Sequence, residues 1–352
     1  MLQCPLRGRF GLPFVILFMA GLAVPAQEPA PQAPSINWGE LRNPVLRYPD
    51  RSIKDFAMAE HQGLFHFFFS SFHASGGQVR SHLSKVTTTD FLHFSDPVEL
   101  FDATDDGWIG YCSPDLFRDG DCYCLTFNSW GDLEDRPNQL FCCTSKDLER
   151  WSDIHPLAPE LTDQRAIDAA AVRSDERIFL IWKEGQIPKL AVSDAIDGNF
   201  RIIGYPQFMT RDGSDHNRYE NYHFERIDDQ WRLLVTSMAD DHQPYLFTMA
   251  GNPAEELNWL YWKDGVRIDL PRGDYNSESR ANGAVLFDRR HLDGYLYLLF
   301  AGSPLTHRGE FLGRGWNALC LARSSDLQSW EAAAPRQGDS PTDATPLPSS
   351  AP

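Results

Sequence analysis

The sequence predicts an all-β protein, a five-bladed β-propeller, on three observations. A hairpin-like unit recurs along the chain, a short Ser/Thr-Asp signature recurs later in several units, and no long helical period appears. The clearest copy of the unit is RAIDAAAVRSDERIFLIWKEG, from Arg165 to Gly185. Asp168 opens a run of small and β-branched residues, Ser174-Asp175-Glu176 makes a polar turn, and a second apolar run ends at Lys183-Glu184-Gly185.

The other copies follow in order. Lys54-Asp55-Phe56-Ala57-Met58, the turn His61-Gln62-Gly63 and LFHFFFSS form the first. Ser113-Pro114-Asp115-Leu116-Phe117, the turn Asp119-Gly120-Asp121 and CYCLTFNSW form the second. After the Arg165 unit comes Tyr219-Glu220-Asn221 with YHFER, the turn Asp228-Asp229-Gln230 and WRLLVTS. A fifth copy, Asn282–Phe287 with YLYLLF, lacks the acid. The second signature is Thr89-Asp90-Phe91, Ser145-Lys146-Asp147-Leu148 with Trp151, and Ser325-Asp326-Leu327 with Trp330. Repeats of about 40–60 residues, each worth about four strands, are the mark of a propeller. Within the fourth unit, 255–262 reads as a short helix.

The ends have a different character. Residues 1–26 read as an export signal: Arg7 and Arg9 precede an apolar run, and Val24-Pro25-Ala26 offers small residues at a cleavage site. The expected location is therefore secreted or periplasmic, with no stable membrane insertion after cleavage. Residues 27–36 are Pro/Ala-rich and read as a disordered linker, and the Ser/Pro/Thr-rich 337–352 as a disordered tail. That leaves 37–336 for the propeller, a length that suits one large all-β domain.

Composition excludes some partners. A formal charge of −17 and a pI near 5.0 argue against nucleic acid or anionic membranes, which need a basic surface. Cys112, Cys122, Cys124, Cys142 and Cys143 crowd the second unit, so an exported protein is expected to pair neighbouring-strand cysteines there or to bury them as thiols. Neither Cys-x-Cys nor Cys-Cys is a zinc-knuckle spacing. No cofactor is expected; a structural calcium has no loop spacing to indicate it, and the metal content stays open.

In a propeller, residues at one place in each repeat converge on the central channel. Asp55, Asp115, Asp168 and Glu220 lie 60, 53 and 52 residues apart, at what reads as that place. Carboxylates gathered in one pocket repel each other and should raise at least one pKa, as proton transfer requires.

These residues resemble the five-bladed propeller glycosidases of glycoside hydrolase family 43 and the related families 32, 62, 68 and 117. The stretches that carry the resemblance are Asn43-Pro44-Val45-Leu46 before Lys54-Asp55, Ser113-Pro114-Asp115-Leu116, Ala166-Ile167-Asp168 with FLIW, and Glu220-Asn221-Tyr222-His223-Phe224-Glu225-Arg226. The resemblance implies a general base at Asp55, a general acid at Glu220, and Asp168 as the residue that holds the acid and raises its pKa. It also implies a poly- or oligosaccharide substrate and an inverting outcome. Phe56, Ala169 and Asn221-Tyr222 stand where family 43 patterns show Pro after the aspartates and Gly-Pro or Ala-Pro after the glutamate. That departure keeps a non-catalytic sugar-binding propeller as the alternative. Asp115 is expected to bind a sugar hydroxyl or to secure its strand; Trp108, Trp130 and Trp182 are candidate sugar platforms, and Arg280 a candidate partner of the acids or of substrate.

Overall fold

In the computed structural model, five β-sheets of four or five strands form the blades, one for each sequence unit, beside one two-stranded sheet. The structure describes residues 33–336 except 76–77, 105–106, 132, 134–135, 240–241, 272–274, 277–280 and 304–316. The expected signal segment, the tail and Arg280 lie outside the described residues.

The units fold as antiparallel hairpins because each pairs two β-rich runs around a tight polar turn. In the third blade, Ala166–Ser174 pairs with Arg177–Glu184, and the chain continues outward through Ile187–Ser193 to Arg201–Gly204. The innermost strands of the other blades are Arg51–His61, Tyr111–Asp119, Tyr219–Ile227 and Asn282–Asp288. Blade 4 departs from the pattern: Gln207–Thr210 adds in parallel beside Tyr261–Arg267, making five strands. The short helix expected there is a 3-10 turn, Glu256–Leu260.

The apolar residues sort into five clusters, and each lies between two neighbouring blades. Blades 1 and 5, for example, share Ile53, Phe56, Phe67, Val285, Tyr297 and Leu321. Alternation along each strand sends successive side chains to opposite faces, so both faces of a blade enter a shared core. The ring closes where the chain ends meet. Arg42–Asn43 pairs in parallel with Ala334–Pro335, and the Asn43 amide exchanges two hydrogen bonds with the Leu321 backbone. Packing begins inside the expected linker: the Ser35 amide donates to the Thr89 carbonyl, and Arg289 donates to that of Pro34 at 2.6 Å.

The cysteines take the second of their two expected states. All six described cysteines are free thiols, and no disulfide joins the strands of blade 2. Cys124 and Cys142 face the core shared with blade 3, while Cys143 faces the core shared with blade 1. Burial pushes the Cys124 and Cys142 thiols up to about 12, so they pack as small apolar side chains.

Candidate functional site

A ring of five bulges builds the site. Each innermost strand carries one extra residue relative to its neighbour, and one residue at each bulge has a left-handed backbone. Those residues are Asp55, Ser113, Asp168, Asn221 and Gly283, with φ from 50° to 62°. Asp, Asn and Gly are the types that enter this region most readily. All five line one central pocket. At Gly283 the backbone runs so close to blade 1 that a Cβ would lie 2.4 Å from Asp55 Cα, which leaves room for glycine alone.

The ring corrects the register read from sequence. Asp55 and Asp168 occupy equivalent bulge positions, but Glu220 comes one residue before its bulge residue and Asp115 two after. The four acids therefore stand at three levels.

Side chains from second strands stitch three of the bulges to the preceding blade. Ser70 accepts from the Ser113 amide at 2.7 Å, Asn128 from the Asp168 amide at 2.9 Å, and Thr236 from the Gly283 amide at 3.3 Å. At the matching place in blade 3 stands Lys183. It cannot accept, and its ammonium donates instead to the Glu220 carboxylate at 2.7 Å, with Lys183 almost wholly buried.

The carboxyls of blades 1, 3 and 4 sit in different surroundings. Asp55 accepts from Ser70 at 2.9 Å and from Asn221 at 3.1 Å, with the Lys54 ammonium 3.7 Å away. The Ser113 hydroxyl also reaches Asp55, at 3.5 Å. Burial raises the Asp168 carboxyl above its ordinary value, and the nearby Glu220 charge adds to the rise. Glu220 moves the other way. Burial alone would raise it, but Lys183, Lys54 and His242 override that and hold it below the usual glutamate range. The expectation of a raised Glu220 is thus corrected: of this pair it is Asp168 that is raised and Glu220 that is lowered.

A separate polar group lines the same pocket. Asp115 accepts from His223 Nδ1 at 2.8 Å, and His223 Nε2 donates to the Leu286 carbonyl at 3.0 Å, tying blades 2, 4 and 5 together. Burial pushes His223 down, yet the Asp115 contact more than offsets it, and the imidazole is held above its usual value. Beside it, burial drives Glu225 up to about 7. Asp115 lines the central pocket but has one oxygen committed to this crossing.

Two expected sugar platforms are corrected. Trp182 is 0 % exposed in the core between blades 2 and 3, its indole N–H donating to Glu184. Trp108 is 4 % exposed in the core between blades 1 and 2. Neither ring face is open to a ligand. Trp130 is partly buried and meets Phe72 edge-on, and Phe72 in turn lies under the Lys54 ammonium. Sequence reading missed Lys54, Lys183 and His242. Lys183 had one visible mark, a lone cation closing an apolar strand.

Comparison with solved structures bears on this arrangement. The chain is similar to a glycosyl hydrolase from Bacteroides ovatus, with 13 % identity, TM-score 0.57, and 86 % of this chain and 96 % of that one covered. A thermostable family-43 glycoside hydrolase aligns with 10 % identity and TM-score 0.54, over 87 % of this chain and 98 % of that one. A β-xylosidase aligns with 12 % identity and TM-score 0.56, over 79 % and 94 %. The fold is that of the five-bladed propeller glycoside hydrolases. No family profile matches the sequence, and no curated protein matches it either.

Proposed function

We propose that the protein is an exported glycoside hydrolase that cleaves poly- or oligosaccharides at the central pocket with inversion. The observation that carries this reading is the gathering of Asp55, Asp168 and Glu220 from three blades, with Asp168 raised, Glu220 lowered, and Lys54 and Lys183 each beside a carboxylate. Such divergent carboxyl environments are what separate an acid from a base.

Asp55 is the general base. It takes a proton from a water, whose oxygen bonds to the anomeric carbon as the glycosidic C–O bond breaks. The electron pair of that bond goes to the leaving oxygen, which receives a proton from Glu220. Asp168 and Glu220 titrate as a pair, so Glu220 is charged with its proton from Asp168 when substrate weakens the Lys183 contact. Inversion requires about 6.5–9.5 Å between base and acid, room for the attacking water. The basic N-terminal segment before an apolar run supports export to meet such a substrate.

A phosphorolytic variant of the chemistry would need cations open to phosphate. Here Lys54 and Lys183 already face carboxylates, which favours water as the nucleophile. Assaying the full protein on a panel of aryl-glycosides and oligosaccharides, with and without phosphate, tests the proposal. Phosphate-independent release of reducing sugar is expected. Turnover only with phosphate would make it a phosphorylase, and saturable oligosaccharide binding without turnover would make it a binding propeller.

A further inference from the structure

Outside the central pocket, blade 1 brings together a group that the hydrolytic chemistry does not use. His73 lies on the second strand, Leu64–Ser75, His82 on the third, Gln78–Thr88, and Glu99 on the outermost, Val98–Glu99. The register explains why they meet. His73 follows by two residues Ser71, which pairs with His82, and Glu99 pairs with Ser84, two residues beyond His82. Residues two apart on a strand share a face, so all three side chains rise from the same side of the sheet.

The geometry is that of a ligand set. One ligand atom from each residue lies within 4.8 Å of the other two. The imidazoles stack with centroids 4.6 Å apart at 17°, and His82 Nδ1 is 3.3 Å from Glu99 Oε2. His73 Nδ1 is shielded from solvent without a hydrogen-bond partner. Two imidazoles face to face, one with an orphaned nitrogen, leave a lone pair with nothing to receive it unless a proton or a metal does.

We propose that His73, His82 and Glu99 bind one divalent transition-metal ion, Zn²⁺ by the chemistry of the ligands, on the face of blade 1. Two imidazoles and a carboxylate suit zinc, which binds nitrogen at about 2.0–2.1 Å and oxygen at about 2.0–2.2 Å, and leave a fourth position for water. Hard cations such as Ca²⁺ and Mg²⁺ prefer all-oxygen shells and are disfavoured. The two rings lie nearly parallel, so their in-plane lone pairs converge on one ion when an imidazole turns about its side-chain torsions, and the exposed Glu99 closes on it from the strand edge.

The surrounding charges permit a cation. Arg51 pairs with His73 in register, but its guanidinium is engaged by Asp50 at 3.3 Å and lies over the Tyr48 ring. Arg80 stands opposite His73 on the third strand, with the Asp102 carboxylate close enough to feel its charge. His73 stands three residues beyond Ser70, the residue that holds Asp55, or about 10 Å along the strand. An ion there would pin three strands of the blade that carries the base without touching it.

The test is a titration of the full, metal-stripped protein with ZnCl₂, followed by calorimetry and thermal melting, with CaCl₂ and MgCl₂ as comparisons. The expected result is saturable binding of one zinc per chain, a raised Tm with zinc and none with calcium or magnesium, and visible ligand-field bands when Co²⁺ replaces zinc. Glu99→Gln, an exposed change that cannot unfold the blade, should weaken zinc binding by about 10–100-fold, and His73→Ala by more. His61→Ala, at the opposite end of the blade, should leave it unchanged. Absence of saturable binding, or a zinc-induced Tm shift that survives in the His73→Ala/Glu99→Gln double variant, overturns the proposal.

Discussion

Two sets of aspartates repeat through this chain, and their surroundings make them different chemical objects. Asp90, Asp147 and Asp326 sit in the turns between third and outermost strands of blades 1, 2 and 5. Each side chain accepts from two backbone amides just ahead of it: Leu92 and His93, Glu149 and Arg150, Gln328 and Ser329. A hydroxyl two residues earlier, on Thr88, Ser145 or Ser324, completes each turn. Burial is the largest single influence on Asp90 and pushes it up, but His93, the amides and Thr88 together outweigh it and bring the carboxyl down to about 2. Asp55 and Asp168 sit instead at left-handed bulges, buried, in a channel shared with a third carboxyl. There burial wins at Asp168 and raises it. Repetition alone does not separate a turn acid from a reactive one. The number of amides aimed at the carboxylate, against the amount of water removed from it, does.

The sharpest way to break the comparison is to neutralise one member of each set. Asp55→Asn should lower kcat by about 100-fold or more on every substrate, because a water must be activated whatever leaves. Its melting temperature should stay near that of the parent. An Asp55→Asn protein of full activity would place Asp55 among the structural acids.

Lys183→Met probes the cation that sets the pair. Without the ammonium, Glu220 loses the partner that holds it down, so its pKa rises and the alkaline limb of the kcat/KM profile moves to higher pH. An unmoved alkaline limb would show that Glu220 does not carry the transferred proton.

Glu225 lets the Asp115–His223 group be tested by stability. With its folded pKa near 7, above the ordinary 4.5, it favours the folded state fully below pH 4.5 and loses that contribution as pH rises through 7. Glu225→Gln should therefore stabilise the protein at pH 8 by on the order of 1–3 kcal/mol and do little at pH 4. Denaturant unfolding at the two pH values reads this directly, and equal effects at both would remove the burial argument.

The smallest effect belongs to the turn set. Asp90→Ala should cost about 1 kcal/mol at pH 7 and leave kcat/KM unchanged. Its folded pKa is depressed, so the cost should fade as pH drops from about 4 to about 2. A loss of activity matching that of Asp55→Asn would erase the distinction between the two sets.

How much of this was legible in the sequence follows from what sets each feature. Hairpin period and turn chemistry are local, so the five blades and the Arg165–Gly185 unit could be read directly. The placement of Asp55, Asp168 and Glu220 on innermost strands of blades 1, 3 and 4 was legible as well. Their register was not, because the bulge residue is defined by backbone conformation, which Ser113, Asn221 and Gly283 satisfy as well as aspartate does. Lining up acids therefore put Asp115 level with Asp55, whereas it pairs with His223. Lys183 escaped notice because its partner is 37 residues away on the next blade. Trp182 failed as a platform because strand alternation sends it between blades, and Trp108 because the loop before Tyr111–Asp119 tucks it into the core between blades 1 and 2; no sequence feature separates such an indole from one facing the channel.

The central claim, that Glu220 delivers the proton at a pocket where Asp55 activates water, is tested most directly by the leaving-group dependence of Glu220→Gln. The variant keeps the shape of the side chain and cannot give up a proton as an acid. On substrates with poor leaving groups it should turn over about 100-fold or more slowly than the parent, and on activated aryl-glycosides, which need little protonation, the loss should be much smaller. Equal rates for variant and parent on both classes would contradict the assignment.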